Sequence, residues 1–178
     1  MRNKKMKKII ALLLISSFII AGCEDEKIYI HVGPNWDMVH KLEASKDSFN
    51  VSLSGVKSNY KLGENLKLEV KSEKAGKLWI VQVDSNDEVT LLMPNQLQMD
   101  NAISANVPFN FPPAQADWSA SAGEPVGESV LAFIVTTSGV DLNQVFSAKS
   151  NNNIMQKTFY IIEDEPAWGL QTKVINVK

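Results

Sequence analysis

The chain has 178 residues, with 18 basic and 20 acidic side chains, a formal charge of −2 and a single cysteine. Its one arginine, Arg2, and four of its lysines lie within the first eight residues, so the remainder is acidic and carries no guanidinium group. That balance argues against a nucleic-acid binder and against sites built on bidentate arginine contacts, and a lone cysteine excludes an internal disulfide.

Arg2, Lys4, Lys5, Lys7 and Lys8 precede an apolar run from Ile9 to Ile20, broken only by Ser16 and Ser17 and ending in Ile20-Ala21-Gly22-Cys23. This is the pattern of a bacterial lipoprotein signal. Small residues let the extended backbone enter a signal peptidase that cuts between Gly22 and Cys23, and only a thiol there takes diacylglycerol as a stable thioether. The run is shorter than the roughly 20 apolar residues of a membrane span, and its basic start and small-residue exit fit a cleaved leader. A plain secretory signal followed by a free thiol is the remaining alternative. Residues 1–22 are therefore expected to be removed, with Cys23 the lipidation site and the membrane a permanent partner through its acyl chains. In enterobacteria-like cells an Asp after the cysteine retains a lipoprotein in the inner membrane; Glu24 stands there, which points to an outer-membrane anchor facing the periplasm. Taking the five basic residues of the leader from the total of 18 leaves 13 against 20 acids, a net charge of −7 on 156 residues. That length suits one domain.

Residues 23–47 read as a lipidated tether with a short alternating stretch at 28–32, a break at Gly33-Pro34 and a single helix over 36–44. Both histidines, His31 and His40, fall here without metal-ligand spacing and read as solvated or packing residues. From 48 to 178 the pattern is that of strands. Phe49, Val51 and Leu53 alternate with polar residues, as do Leu66, Leu68 and Val70. Residues 77–83 and 129–136 are apolar on both faces and predict interior strands. Residues 89–93, 158–162 and 173–177 complete the set, and a short helix over 142–148 follows Asp141 as its N-cap. The fold class is all-β: an antiparallel, immunoglobulin-like β-sandwich with one short helix, preceded by the signal and tether. A fragment starting at residue 46 is expected to fold alone.

Several separated pieces resemble a known family in the right order. They are Tyr60-Lys61-Leu62-Gly63-Glu64, the strand 66–70, the hairpin 79–93 ending in Leu91-Leu92-Met93-Pro94-Asn95, Asp100-Asn101, Pro108, Gly123-Glu124 and Ala132-Phe133-Ile134-Val135. Over roughly residues 48–140 the chain resembles the bacterial family catalogued as domain of unknown function 4384. The resemblance implies a small β-sandwich serving as an accessory module in envelope lipoproteins or beside kinase, peptidase or repeat domains, without established catalytic residues. That family's Asp-Gly at the hairpin tip is here Asn86-Asp87, with Asn86 the residue expected to take the left-handed conformation.

No catalytic residues, cofactor or metal site are assigned. There is no GxSxG, no SxxK, no cysteine left after lipidation and no histidine within the strand region to activate a serine. Glu163-Asp164-Glu165 reads as a solvated turn before Pro166, and neither it nor Asp84–Glu88 has the DxDxDG order of a calcium loop. The long connection 94–128 is the remaining feature, with five prolines and Met99, Phe109, Phe111 and Trp118. Phe109, Phe111 and Trp118 are the candidate partner surface, and capping of an open sandwich end is the competing reading. Of the three, Phe111 is the expected anchor and Trp118 the expected cap. The functional expectation is an accessory or stabilising component of an envelope or secretion assembly, acting through an envelope protein partner. The alternative is a carrier of a small or glycan-like ligand, which requires a concave pocket lined by these aromatics; a hydrolase ranks last.

Overall fold

A computed structural model describes residues 32–147 and 153–178, and these are mostly β. In chain order they form α1 (Pro34–Ala44), β1 (Val51–Ser54), β2 (Asn59–Tyr60), β3 (Asn65–Leu66), β4 (Leu68–Ser72), β5 (Gly76–Val83) and β6 (Val89–Met93). There follow β7 (Ala102–Ile103), β8 (Phe109–Phe111), β9 (Ala120–Ser121), β10 (Gly127–Thr136), α2 (Asn143–Phe146), α3 (Ile154–Glu163) and β11 (Trp168–Val177). Gly22, Cys23 and His31 lie outside the described residues.

β10 and β5 are the apolar-on-both-faces strands expected from sequence, and they form the middle of a six-stranded sheet ordered β2-β11-β10-β5-β6, with β7 also paired to β5. All its pairings are antiparallel except that of β2 with β11. A second sheet has the order β1-β4-β8, and β3 pairs with β9. The alternating stretch 66–70 is thus split at Lys67 between two sheets.

Alternation along the central strands sorts their side chains into two cores. Leu78 and Ile80 of β5, with Leu131, Phe133 and Val135 of β10, meet Val51, Val70 and Phe111 from the three-stranded sheet. Trp79, Val81 and Val83, with Val130, Ala132 and Ile134, point the opposite way and are covered by helices through Trp36, Val39, Leu42, Met155, Phe159 and Ile162.

This helical cover corrects two sequence expectations. Residues 158–162 form the second half of α3, not a strand. The β-branched and aromatic content suggested extension, but the buried residues Ile154, Met155, Thr158, Phe159 and Ile162 recur at helical spacing. Likewise α1 is a helix, as its pattern indicated, yet it belongs to the folded unit and not to a tether, since Trp36 and Val39 are fully buried. The fragment beginning at residue 46 would therefore lose the part of that cover supplied by Trp36, Val39 and Leu42 and keep only the part supplied by α3.

α1 starts with Pro34 in its first turn and has no capping side chain of its own. Its cap comes from the β5–β6 hairpin. The Asp87 carboxylate accepts the backbone N–H groups of Asn35 at 3.0 Å and Trp36 at 2.8 Å, which satisfies donors that a helix start leaves orphaned. Asp87 holds a left-handed φ of 64° to do so, a conformation that favours glycine. Here the left-handed tip residue is Asp87 and not Asn86, at the place of the glycine in the resembled Asp-Gly turn. Gly33 is required by closeness, because a Cβ there would collide with the Asp87 side chain. The buried Asn35 side chain donates to the Asp87 carbonyl at 3.0 Å and accepts the Met155 N–H at 3.2 Å, tying both helices to the hairpin tip.

Candidate functional site

The three aromatics of the long connection separate in the structure. Phe111, on β8, has 2% of its surface exposed and is part of the sheet-side core. This corrects the expectation that it is the anchor. β8 pairs with β4 with Leu68 opposite Phe111, so the strand that carries Phe111 completes the three-stranded sheet. Phe109 and Trp118 are half-buried against the same core. Trp118 meets Phe111 edge to face, with centroids 5.7 Å apart. Trp118 thus lies against the core as the expected cap does, while Phe111, the side chain closer to Pro112-Pro113, is taken inward by a strand too short to be recognised.

Phe111, Trp118, Pro112 and Pro113 line a cleft of about 540 Å³ together with Leu66 and Leu68. Asn65, Lys67, Glu69 and Asn110 stand at its rim. The cleft exists because β4 leaves the β3–β9 pair at Lys67 and joins β8, so the connection after Phe111 must bridge the two sheets.

A second concave surface, of about 780 Å³, runs along β6, the edge strand of the large sheet, and is lined by Val89, Leu91, Pro94, Met99 and Phe146. Here the long connection does expose large apolar side chains: Leu97 is 68% exposed and Met99 81%. Asn95 fixes this loop by accepting the N–H groups of Leu97 and Gln98, both at 2.8 Å, and donating to the Leu92 carbonyl at 2.7 Å. Sequence reasoning noted Met99 but not Leu97. The available signal was an apolar pair two residues apart between Gln96, Gln98 and Asp100.

Asp84, Asp87, Glu163 and His40 are engaged in other contacts. Asp84 accepts the N–H groups of Asn86 and Glu88 within its turn, and Asp87 caps α1. Glu163 accepts the Ser45 hydroxyl, while Glu165 has one carboxylate oxygen buried without a partner among the described residues. Trp36 donates its indole N–H to Nε2 of His40 at 2.9 Å, and Nδ1 of the same ring lies 3.3 Å from a Glu43 carboxylate oxygen. Among the described residues no three His, Cys, Asp or Glu side chains are grouped to hold a metal ion, and no helix is long and apolar enough to cross a membrane.

Most of the residues that line the two concave surfaces, and the whole β5–β6 hairpin, fall within a segment that matches a family model. Residues 59–139 match the family model of the Domain of unknown function (DUF4384). The DUF4384 match runs from β2 through β10 and leaves out α1, β1, the two later helices and β11. No curated protein and no solved structure matches the chain significantly.

Proposed function

We propose that the protein is a lipid-anchored envelope module that acts by protein–protein contact, as an accessory or stabilising part of an envelope or secretion assembly, and that it docks its partner at the β6 edge. The observation that carries this reading is the exposure of Leu97 and Met99 beside a concave surface on an edge strand. Side chains of that size so far exposed together are unfavourable unless something covers them. The DUF4384 match and the accessory role implied for that family agree with a non-catalytic module. The anchor is Cys23 and the site is the periplasmic side of the outer membrane, supported by the leader pattern and Glu24.

The fold is read as immunoglobulin-like. In support, β1-β4-β8 follow the order A-B-E and β11-β10-β5-β6 the order G-F-C-C′. α2 and α3 then occupy the place of the F–G hairpin, and Trp79 on strand C faces the helices instead of the space between the sheets.

Photo-crosslinking in intact cells tests the docking surface. A photoreactive residue at Met99 should yield a discrete heavier adduct, and adding Leu97→Glu should abolish it without changing the amount of protein. A chain that stays uncrosslinked at Met99 removes the β6 edge as the contact. Palmitate labelling that persists in Cys23→Ser, or is absent from the wild type, removes the anchor.

A further inference from the structure

The cleft between β3–β4 and the end of β8 is a separate feature from the β6 edge, and its chemistry is mixed. Its floor is apolar, built on buried Leu66, Leu68 and Phe111. Its rim carries the amides of Asn65 and Asn110, which make no side-chain hydrogen bond within the described residues, and the same holds for the indole N–H of half-buried Trp118. Lys67 and Glu69 are the charged groups at the rim, and their charges offset each other.

Three ligand classes are disfavoured by that set. An anion would meet one lysine beside a glutamate and no arginine. An acyl chain gains most in a closed apolar tunnel, whereas this cleft is open and amide-rimmed. A cation would have a single carboxylate, itself accepting a weak bond from the Ser54 hydroxyl at 3.5 Å. What fits is a ligand that presents apolar C–H faces to an aromatic floor and many neutral donors and acceptors to amides. The volume lies within the roughly 300–1,000 Å³ of small-molecule sites.

We infer that this cleft binds a neutral oligosaccharide, with Trp118 as the stacking platform and Asn65 and Asn110 as the groups that read its hydroxyl or acetamido substituents. Sugar rings suit the site because their C–H faces stack on an indole while their edges stay wet. The amides lie on strands, Asn110 in β8 and Asn65 in β3, so their positions are fixed by the ladders.

Tryptophan fluorescence offers a direct test, since Trp36, Trp79 and Trp168 are at most 5% exposed and Trp118 is the half-buried one. The full chain, in a zwitterionic detergent free of sugar, is titrated with the N-acetylglucosamine tetramer and with glucose-based oligomers. A saturable change in emission is expected, absent in Trp118→Phe. Calorimetry should show Asn110→Ala weakened by about 5- to 10-fold, as for loss of a hydrogen bond. Lys67→Gln should bind within about two-fold of wild type, with little dependence on salt. Because Asn110 and Lys67 are exposed, both variants should keep the wild-type circular dichroism. The inference is overturned if no neutral oligosaccharide saturates the signal, if Asn110→Ala binds as wild type does, or if the Trp118 response belongs instead to an extended peptide or a charged ligand.

Discussion

The two faces of the six-stranded sheet are covered in different ways. One is closed by β1, β4 and β8, drawn largely from the segment that matches DUF4384. The other is closed by α1 and α3, which lie outside the match, one before it and one after it in the chain. The central strands do not register the difference, as they are equally apolar on both sides. A domain can thus keep a strand framework and acquire a second cover for its outer face, provided that face is already hydrophobic. Trp79, Val81, Ala132 and Ile134 make it so here.

The comparison breaks most decisively if the helical cover can be removed. A fragment starting at residue 46, lacking Trp36, Val39 and Leu42, should lose cooperative unfolding and bind a hydrophobic dye, while a fragment starting at residue 32 should melt sharply. A sharply melting, dye-free short fragment would reduce α1 to an appendage. Next in size, Phe111→Ala on the sheet side and Trp36→Ala on the helix side should each lower stability by about 3–5 kcal/mol in denaturant titration. A much smaller loss for Trp36→Ala would show that the two cores are unequal partners. Asp87→Gly keeps the left-handed backbone but removes the cap of α1, so it should lose about 1–3 kcal/mol, the penalty of stranding donors that had a charged acceptor. Faster amide exchange in α1, with β10 unchanged, would localise the loss.

Met99→Glu should change stability by less than about 0.5 kcal/mol, since nothing folded covers that side chain. The smallest effect belongs to the exposed Lys57–Glu64 pair, 2.6 Å apart. The hydrogen bond from Lys57 holds the Glu64 carboxyl below its ordinary 4.5, and the same bond raises the Lys57 ammonium above 10.5. The carboxylate's contribution is complete above 4.5 and vanishes as pH falls through the lowered value; that of the ammonium is complete below 10.5 and vanishes as pH rises through the raised one. Solvent screening leaves little to measure at neutral pH, so Glu64→Gln should melt with the wild type.

The sheet-side core was legible because its strands alternate or are continuously apolar over five or more residues, as in β5, β6 and β10. The helical layer was harder to see for two separate reasons. In α3 the window 158–162 is rich in Thr, Phe and Ile, and only extension back to Ile154 reveals the helical period. In α1 the period was visible, but its partner surfaces lie on α3, β10 and β11, far away in sequence, and nothing local states that this helix packs inward. The candidate surfaces were partly legible. The long connection, singled out from sequence, does contribute lining to both concave surfaces, yet β8 is three residues long and its pairing with β4 is a tertiary fact, so the burial of Phe111 could not be read from spacing.

The clasp at Asp87 has a mechanical consequence. Tension arriving from the N-terminal side enters the described unit at Gly33-Pro34, immediately before the N–H groups held by Asp87. From there the load passes to the tip of the β5–β6 hairpin, and so along β5 into its seven-rung ladder with β10. Asn35 shares it with the start of α3 through Met155. A pull from that side therefore meets the hairpin tip and both helices together, and the first turn of α1 cannot peel away until the Asp87 carboxylate releases its two N–H groups.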